Sequence, residues 1–139
     1  MRDKACPGMK RLLAILLFVA CTAPQPPPGS AGPAEAVQDF AAALQKGDAA
    51  TAWSLLSSRT QKEADAAAAR ARAFVGDAGP ANGRAMLFAS ALPGRPVEAR
   101  VVSQTGDSAE VQTADDAGVQ VYRVVREGDH WRVDLDLPR

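Results

Sequence analysis

Three kinds of hydrophobic pattern follow one another along the chain. The first is an unbroken apolar run from Leu12 to Ala20, preceded by Lys10 and Arg11 and stopped at Cys21 by a segment rich in proline. The second begins at Ala34, where Val37, Phe40, Ala41 and Leu44 recur at i, i+3, i+4 and i+7, the spacing of one helix face. Acids Glu35 and Asp39 come early and Lys46-Gly47 closes the segment, so a first helix is predicted there. Asp48 is placed to cap a second helix with Ala49, Ala52, Trp53 and Leu56 on its apolar face. Ser58 with Gln61 fits a capping box opening a third. Its stripe runs Ala64, Ala67, Ala68, Ala71, Phe74 and Val75, with Lys62, Glu63, Asp65, Arg70 and Arg72 as a solvated face and Gly76 at its end.

Gly76 to Gly83 is a turn cluster, and the apolar stretch from Ala85 to Leu92 reads as a short helix. Beyond Pro93-Gly94-Arg95-Pro96 the third pattern takes over. Val97–Gln104, Ser108–Thr113, Val119–Arg126 and His130–Leu135 are strand-like, separated by Gly- and Asp-containing turns short enough for hairpins. Toward the end of the chain Trp131, Val133, Leu135 and Leu137 alternate with Arg132, Asp134 and Asp136, which predicts one covered and one wet face. The fold class expected is α+β, with three N-terminal helices packed on an antiparallel sheet of about four strands.

The first apolar run is too short to cross a bilayer as a helix, which takes about 20 residues, and has the order of a signal peptide. Phe18-Val19-Ala20-Cys21 resembles the lipobox of bacterial lipoproteins at three of four positions, departing at Phe18, where leucine is usual. The resemblance implies cleavage before Cys21 and acylation of that cysteine. Several acyl chains, at about 0.8 kcal/mol per buried CH₂, make a stable anchor where one would not. The plainer alternative is a secretory signal cut elsewhere, with Cys21 incidental. Met9 makes a tidier start than Met1; with either, Cys6 is lost with the leader and no intramolecular disulfide remains for Cys21. Three regions result: a signal peptide at 1–20, a lipid-anchored proline-rich linker at 21–33 and one domain at 34–139.

Composition sharpens this picture in two places. Hydrophobic residues are 47% of the chain but aromatics only 5%, so the core must be built mainly from Val, Leu and Ala. The formal charge is zero overall, yet from Cys21 onward twelve Lys and Arg face fifteen Asp and Glu, a net of −3 with no run of one sign. A mixed, mildly acidic surface lacks the basic stripe that phosphate binding needs, so nucleic acid is not expected as a partner.

The segment Leu44 to Trp53 and the closing Gly128 to Leu135 strand together resemble the nuclear transport factor two-like fold, over Ala34 to Leu137. That resemblance implies a curved sheet wrapped with helices into a cone-like fold with a pocket. The superfamily includes ketosteroid isomerases, dehydratases, polyketide cyclases and modules without catalysis, so it does not by itself imply an activity.

Candidate chemistry is sparse. His130, the only histidine, is expected as an exposed strand residue, with no zinc-ligand cluster around it. Tyr122, the only tyrosine, is either a pocket donor to an oxyanion or a cross-strand packing residue. Asp134 and Asp136 share a strand face that either serves paired acid–base or metal chemistry or is an ordinary charged outer face beside Arg132. Asp115-Asp116 lies in a turn where aspartate is favoured for backbone reasons. Trp53, Phe88 and Tyr122 are the candidate pocket-lining residues, and Phe40, Phe74 and Phe88 are expected in or near the core. No catalytic residue, metal or other cofactor is expected. The reading is a lipid-anchored protein of the cell envelope, at the outer rather than the inner membrane because Thr22 is not the aspartate that retains enteric lipoproteins. It acts as a binding module for an envelope protein, or alternatively as a carrier or minor enzyme for a small apolar ligand.

Overall fold

The computed structural model describes residues 31–89 and 97–138. The signal segment, Cys21, most of the linker and the Pro93-Gly94-Arg95-Pro96 turn lie outside the described residues. Within them the fold is α+β, with four α-helices, one 3₁₀ turn and a four-stranded antiparallel sheet of order β1-β2-β3-β4.

Helix α1 (Pro33–Lys46) opens on Pro33 at its first turn, where the missing amide costs nothing. The residue expected to end the linker therefore begins the domain. Ala36, Val37, Phe40 and Ala43 are its buried face. It ends at Gly47 in the left-handed region, φ 69°, with the Gly47 and Asp48 amides returning to Leu44 and Ala43 carbonyls. Asp48 then caps α2 (Ala49–Ser54), its carboxylate accepting from the Thr51 amide at 3.0 Å.

Helix α3 (Ser58–Val75) is capped one residue earlier than the sequence reading places it. Ser57 accepts from the Thr60 amide, while Gln61 reaches back to the Trp53 carbonyl at 2.8 Å. Its buried face is Thr60, Ala64 and Ala68. Phe74 and Val75, expected to continue that stripe, are 89% and 58% exposed, because the helix outruns the elements that cover it. After the 3₁₀ turn (Gly76–Ala78), α4 (Gly83–Phe88) crosses α3 at Gly83. A Cβ there would stand 2.6 Å from the Asp65 amide nitrogen, so glycine permits the close approach, and its own N–H donates to the Asp65 carboxylate at 2.7 Å. Asp65 thus braces α4 instead of only facing water.

Strands β1 (Glu98–Thr105), β2 (Ser108–Asp115), β3 (Gly118–Glu127) and β4 (His130–Asp134) form a meander, with a bulge between Val101 and Ser103. Register sets Val111 opposite Tyr122 and Val124 opposite Val133, so these residues share the covered face. Helix α1 packs against all four strands, whereas α3 packs against α4. The core is Val37, Phe40, Leu55, Leu56, Val111, Val124, Trp131 and Val133 with interleaved alanines. Full burial of a side chain of this size contributes about 1.5–3 kcal/mol.

Candidate functional site

Two arrangements gather the polar chemistry of the domain. The first is a groove of about 140 Å³ between α1 and the sheet. Val37, Phe40, Ala41 and Leu44 form its helical wall, and Thr113, Gln120 and Tyr122 its sheet side, with Val97 and Asp115 also lining it. The 3.6-residue repeat of α1 brings its four residues to one side, and the β2–β3 register places Thr113 opposite Gln120 beside the Val111–Tyr122 pair. Tyr122 is half-buried and its hydroxyl donates to Gln120 Oε1 at 2.9 Å. Burial pushes its pKa up, helped by the negative charge of Asp115. Asp115 also accepts from the Ala117 amide at 2.8 Å, holding the β2–β3 turn as its position in the sequence suggests.

Phe88 lines a smaller hollow of about 50 Å³ with Ala43, Leu44, Gly47, Asp48 and Ala49. Leu44 is common to this hollow and the groove. Trp53 is half-buried against the core, as are Phe88 and Tyr122. The three residues expected around one pocket thus flank the same cluster, with Tyr122 the one that brings a polar group to the groove.

The second arrangement centres on Asp134, which the strand alternation assigned to a charged outer face. It is instead 7% exposed. Arg59 meets it with two parallel hydrogen bonds, Nε to Oδ1 at 3.1 Å and Nη2 to Oδ2 at 2.9 Å. The Ser57 hydroxyl donates to Oδ1 at 2.5 Å, and Thr60 Oγ1 lies 3.4 Å from the same oxygen. Arg59 also binds Asp136, Glu63 and the Leu135 carbonyl, so Asp134 and Asp136 do come together, on a guanidinium. Burial pushes the Asp134 carboxyl up, but the hydrogen bonds from Arg59 and Ser57 and the nearby positive charge of Arg59 and Arg123 outweigh it, and the net shift is downward. The Arg59 guanidinium is held more firmly charged by the hydrogen bond to Asp134.

Around this cluster the backbone closes as well. Residues 55–57 run beside β4, with Ser57 N donating to Val133 O at 2.8 Å and Val133 N to Leu55 O at 2.7 Å. At the start of α3 the Ser58 amide and hydroxyl both donate to Glu127, at 2.8 and 2.9 Å, placing a carboxylate at a helix N-terminus. The site is a clasp: two strand carboxylates hold the first turn of α3. Sequence reading missed it because Ser57 and Arg59 lie more than seventy residues from Asp134, the partner they hold. The available signal was Ser57-Ser58-Arg59-Thr60, an unusually polar run leading a helix.

His130 is half-buried, not exposed as expected, and its Nδ1 has no hydrogen-bond partner among the described residues. Among those residues no group of three or more His, Cys, Asp or Glu side chains is placed to hold a metal. No described helix is long and apolar enough to cross a membrane.

Compared with known proteins, the chain finds no match: no family model, no curated sequence and no solved structure resembles it closely enough to assign.

Proposed function

We propose that this chain is a lipid-anchored binding module of the bacterial cell envelope, tethered through Cys21 and holding its domain off the membrane on a proline-rich spacer. Its helices and meander are read as a member of the cone-like, nuclear transport factor two-like class, with the α1–sheet groove as the mouth of the cone. The supports for the anchor are sequence features: a basic start, a short apolar run and Phe18-Val19-Ala20-Cys21.

The observation that carries a binding role over a catalytic one is how the polar groups are engaged. Asp134 is neutralised by Arg59 and shielded within the clasp. The hydroxyl of Tyr122 is directed to Gln120, inside a groove whose helical wall is wholly apolar. Such a surface offers contact area and one orienting hydrogen bond, the usual make-up of a recognition site. Membrane fractionation tests the anchor: the wild-type chain is expected with the membranes and a Cys21→Ala variant in the soluble fraction. Equal partition of both would overturn the reading.

A second reading, a carrier for a small apolar ligand, is favoured by the groove itself. Native mass spectrometry of the purified protein would reveal a bound small molecule, lost in an Ala41→Trp variant that fills the groove. An Ala41→Trp variant that retains the molecule would move the ligand elsewhere.

A further inference from the structure

We infer that the C-terminal tip of α3 is a second contact with the lipid surface, a landing patch in which Phe74 and Val75 enter the bilayer interface while neighbouring arginines face its headgroups. The inference rests on the proposed anchoring at Cys21.

Phe74 is 89% exposed and Val75 58%, adjacent in the chain at the end of an 18-residue helix. Ala73 and Ala78, which flank them in the chain, are exposed too. A large aromatic this bare, next to an exposed β-branched residue, is the kind of contiguous apolar surface that marks a contact site. Its surroundings select the occupant. At the tip itself the ionisable residues are Arg70, Arg72 and Asp77, a balance of +1, whereas the chain from Cys21 onward is net negative. Arg72 holds Asp77 at 3.1 Å, which ties the turn after the helix to the tip and fixes how Val75 is presented. Exposed apolar residues with Arg70 and Arg72 one turn back on the same helix, on a domain otherwise acidic, suit an anionic lipid interface.

The test uses the acylated full-length protein isolated from membranes and reconstituted in phosphatidylethanolamine/phosphatidylglycerol vesicles with brominated acyl chains. A Phe74→Trp variant is compared with Gln104→Trp on exposed β1, above the common background of Trp53 and Trp131. The expected result is a blue-shifted emission for Phe74→Trp that brominated lipid quenches, with Gln104→Trp unquenched. Equal, weak quenching of the two would overturn the landing patch. So would a blue shift that appears without lipid and grows with protein concentration, which would assign the tip to a second copy. Intact mass reads acylation independently: if Cys21 carries no lipid the anchoring reading fails by itself. The unacylated chain added to the same vesicles then decides the patch, retained if Phe74→Trp is still quenched and overturned if it is not.

Discussion

Along β4 the edge of the sheet is closed by residues 55–57, which exchange backbone hydrogen bonds with Val133 while Arg59 and Ser57 grip Asp134. Along β1, at the other edge, every residue but Ala99 is exposed, Val101 and Val102 stand 37% and 46% open to solvent, and a bulge interrupts the pairing with β2. Both are ends of one four-stranded meander, yet one is sewn to the helices, while among the described residues the other is blunted by its bulge and by charges such as Glu98 and Arg100. The difference leads to the expectation that the β4 side contributes more to stability and that the β1 side, which borders the groove, opens at lower cost.

The largest expected break in this asymmetry is Asp134→Ala. Removing one partner of a buried pair costs about 3–5 kcal/mol, and because Arg59 keeps access to water the lower end, about 3 kcal/mol, is expected from urea unfolding. Leu55→Ala, at a fully buried position on the same side, is expected to cost about 3 kcal/mol. The matching change on the other edge, Val101→Ala, is expected to stay within about 1 kcal/mol. Similar losses at Val101 and Leu55 would dissolve the comparison.

Acid titration sharpens it next. Asp134 releases its proton more readily in the folded chain than in the unfolded one. Its stabilisation is therefore complete above the ordinary aspartate value of about 3.9 and is lost as pH falls through the lowered folded value. Asp134→Asn should flatten that acid limb of the stability profile. Tyr122 acts with the opposite sign: its raised folded pKa gives stability that is whole below about pH 10 and lost as pH rises further. Tyr122→Phe should remove the alkaline loss and change stability near neutrality by only about 1 kcal/mol, the net worth of one hydrogen bond. The smallest effect is expected at Phe74→Asp, within about 0.5 kcal/mol by the same urea measurement, since the side chain has little contact to lose.

Much of this architecture was legible because it is written in local pattern. The face of α1, the Asp48 cap and the four strands with their turns follow from periodicity and turn chemistry over a few residues, whereas the short α4 has no clear period and is expected from an apolar run after a turn cluster. What was not legible depends on neighbours distant in sequence. Alternation on β4 correctly sent Trp131 and Val133 inward, but it says nothing of what covers the other face, and there α3 brings Arg59 onto Asp134. The stripe of α3 read as continuous through Phe74, yet where burial stops depends on how far its partners extend, which the helix's own period does not encode. The adjacent pair Ser57-Ser58 offered two equivalent caps, and Glu127 on β3 captures the second, leaving the first to cap. Of the candidate pocket residues, Tyr122 could not be placed by strand parity, because Val119, Val121 and Val125 sit on the alternate face of β3, where Val119 and Val121 are in fact each 60% exposed. Its pairing with Gln120 needed the geometry of the folded strand.

The most direct test of the account is the intact mass of the protein extracted from membranes. A chain that begins at Cys21 and carries the added mass of acyl chains is the predicted result. An unmodified chain, or one cut at another position, would contradict it and leave the domain without its tether.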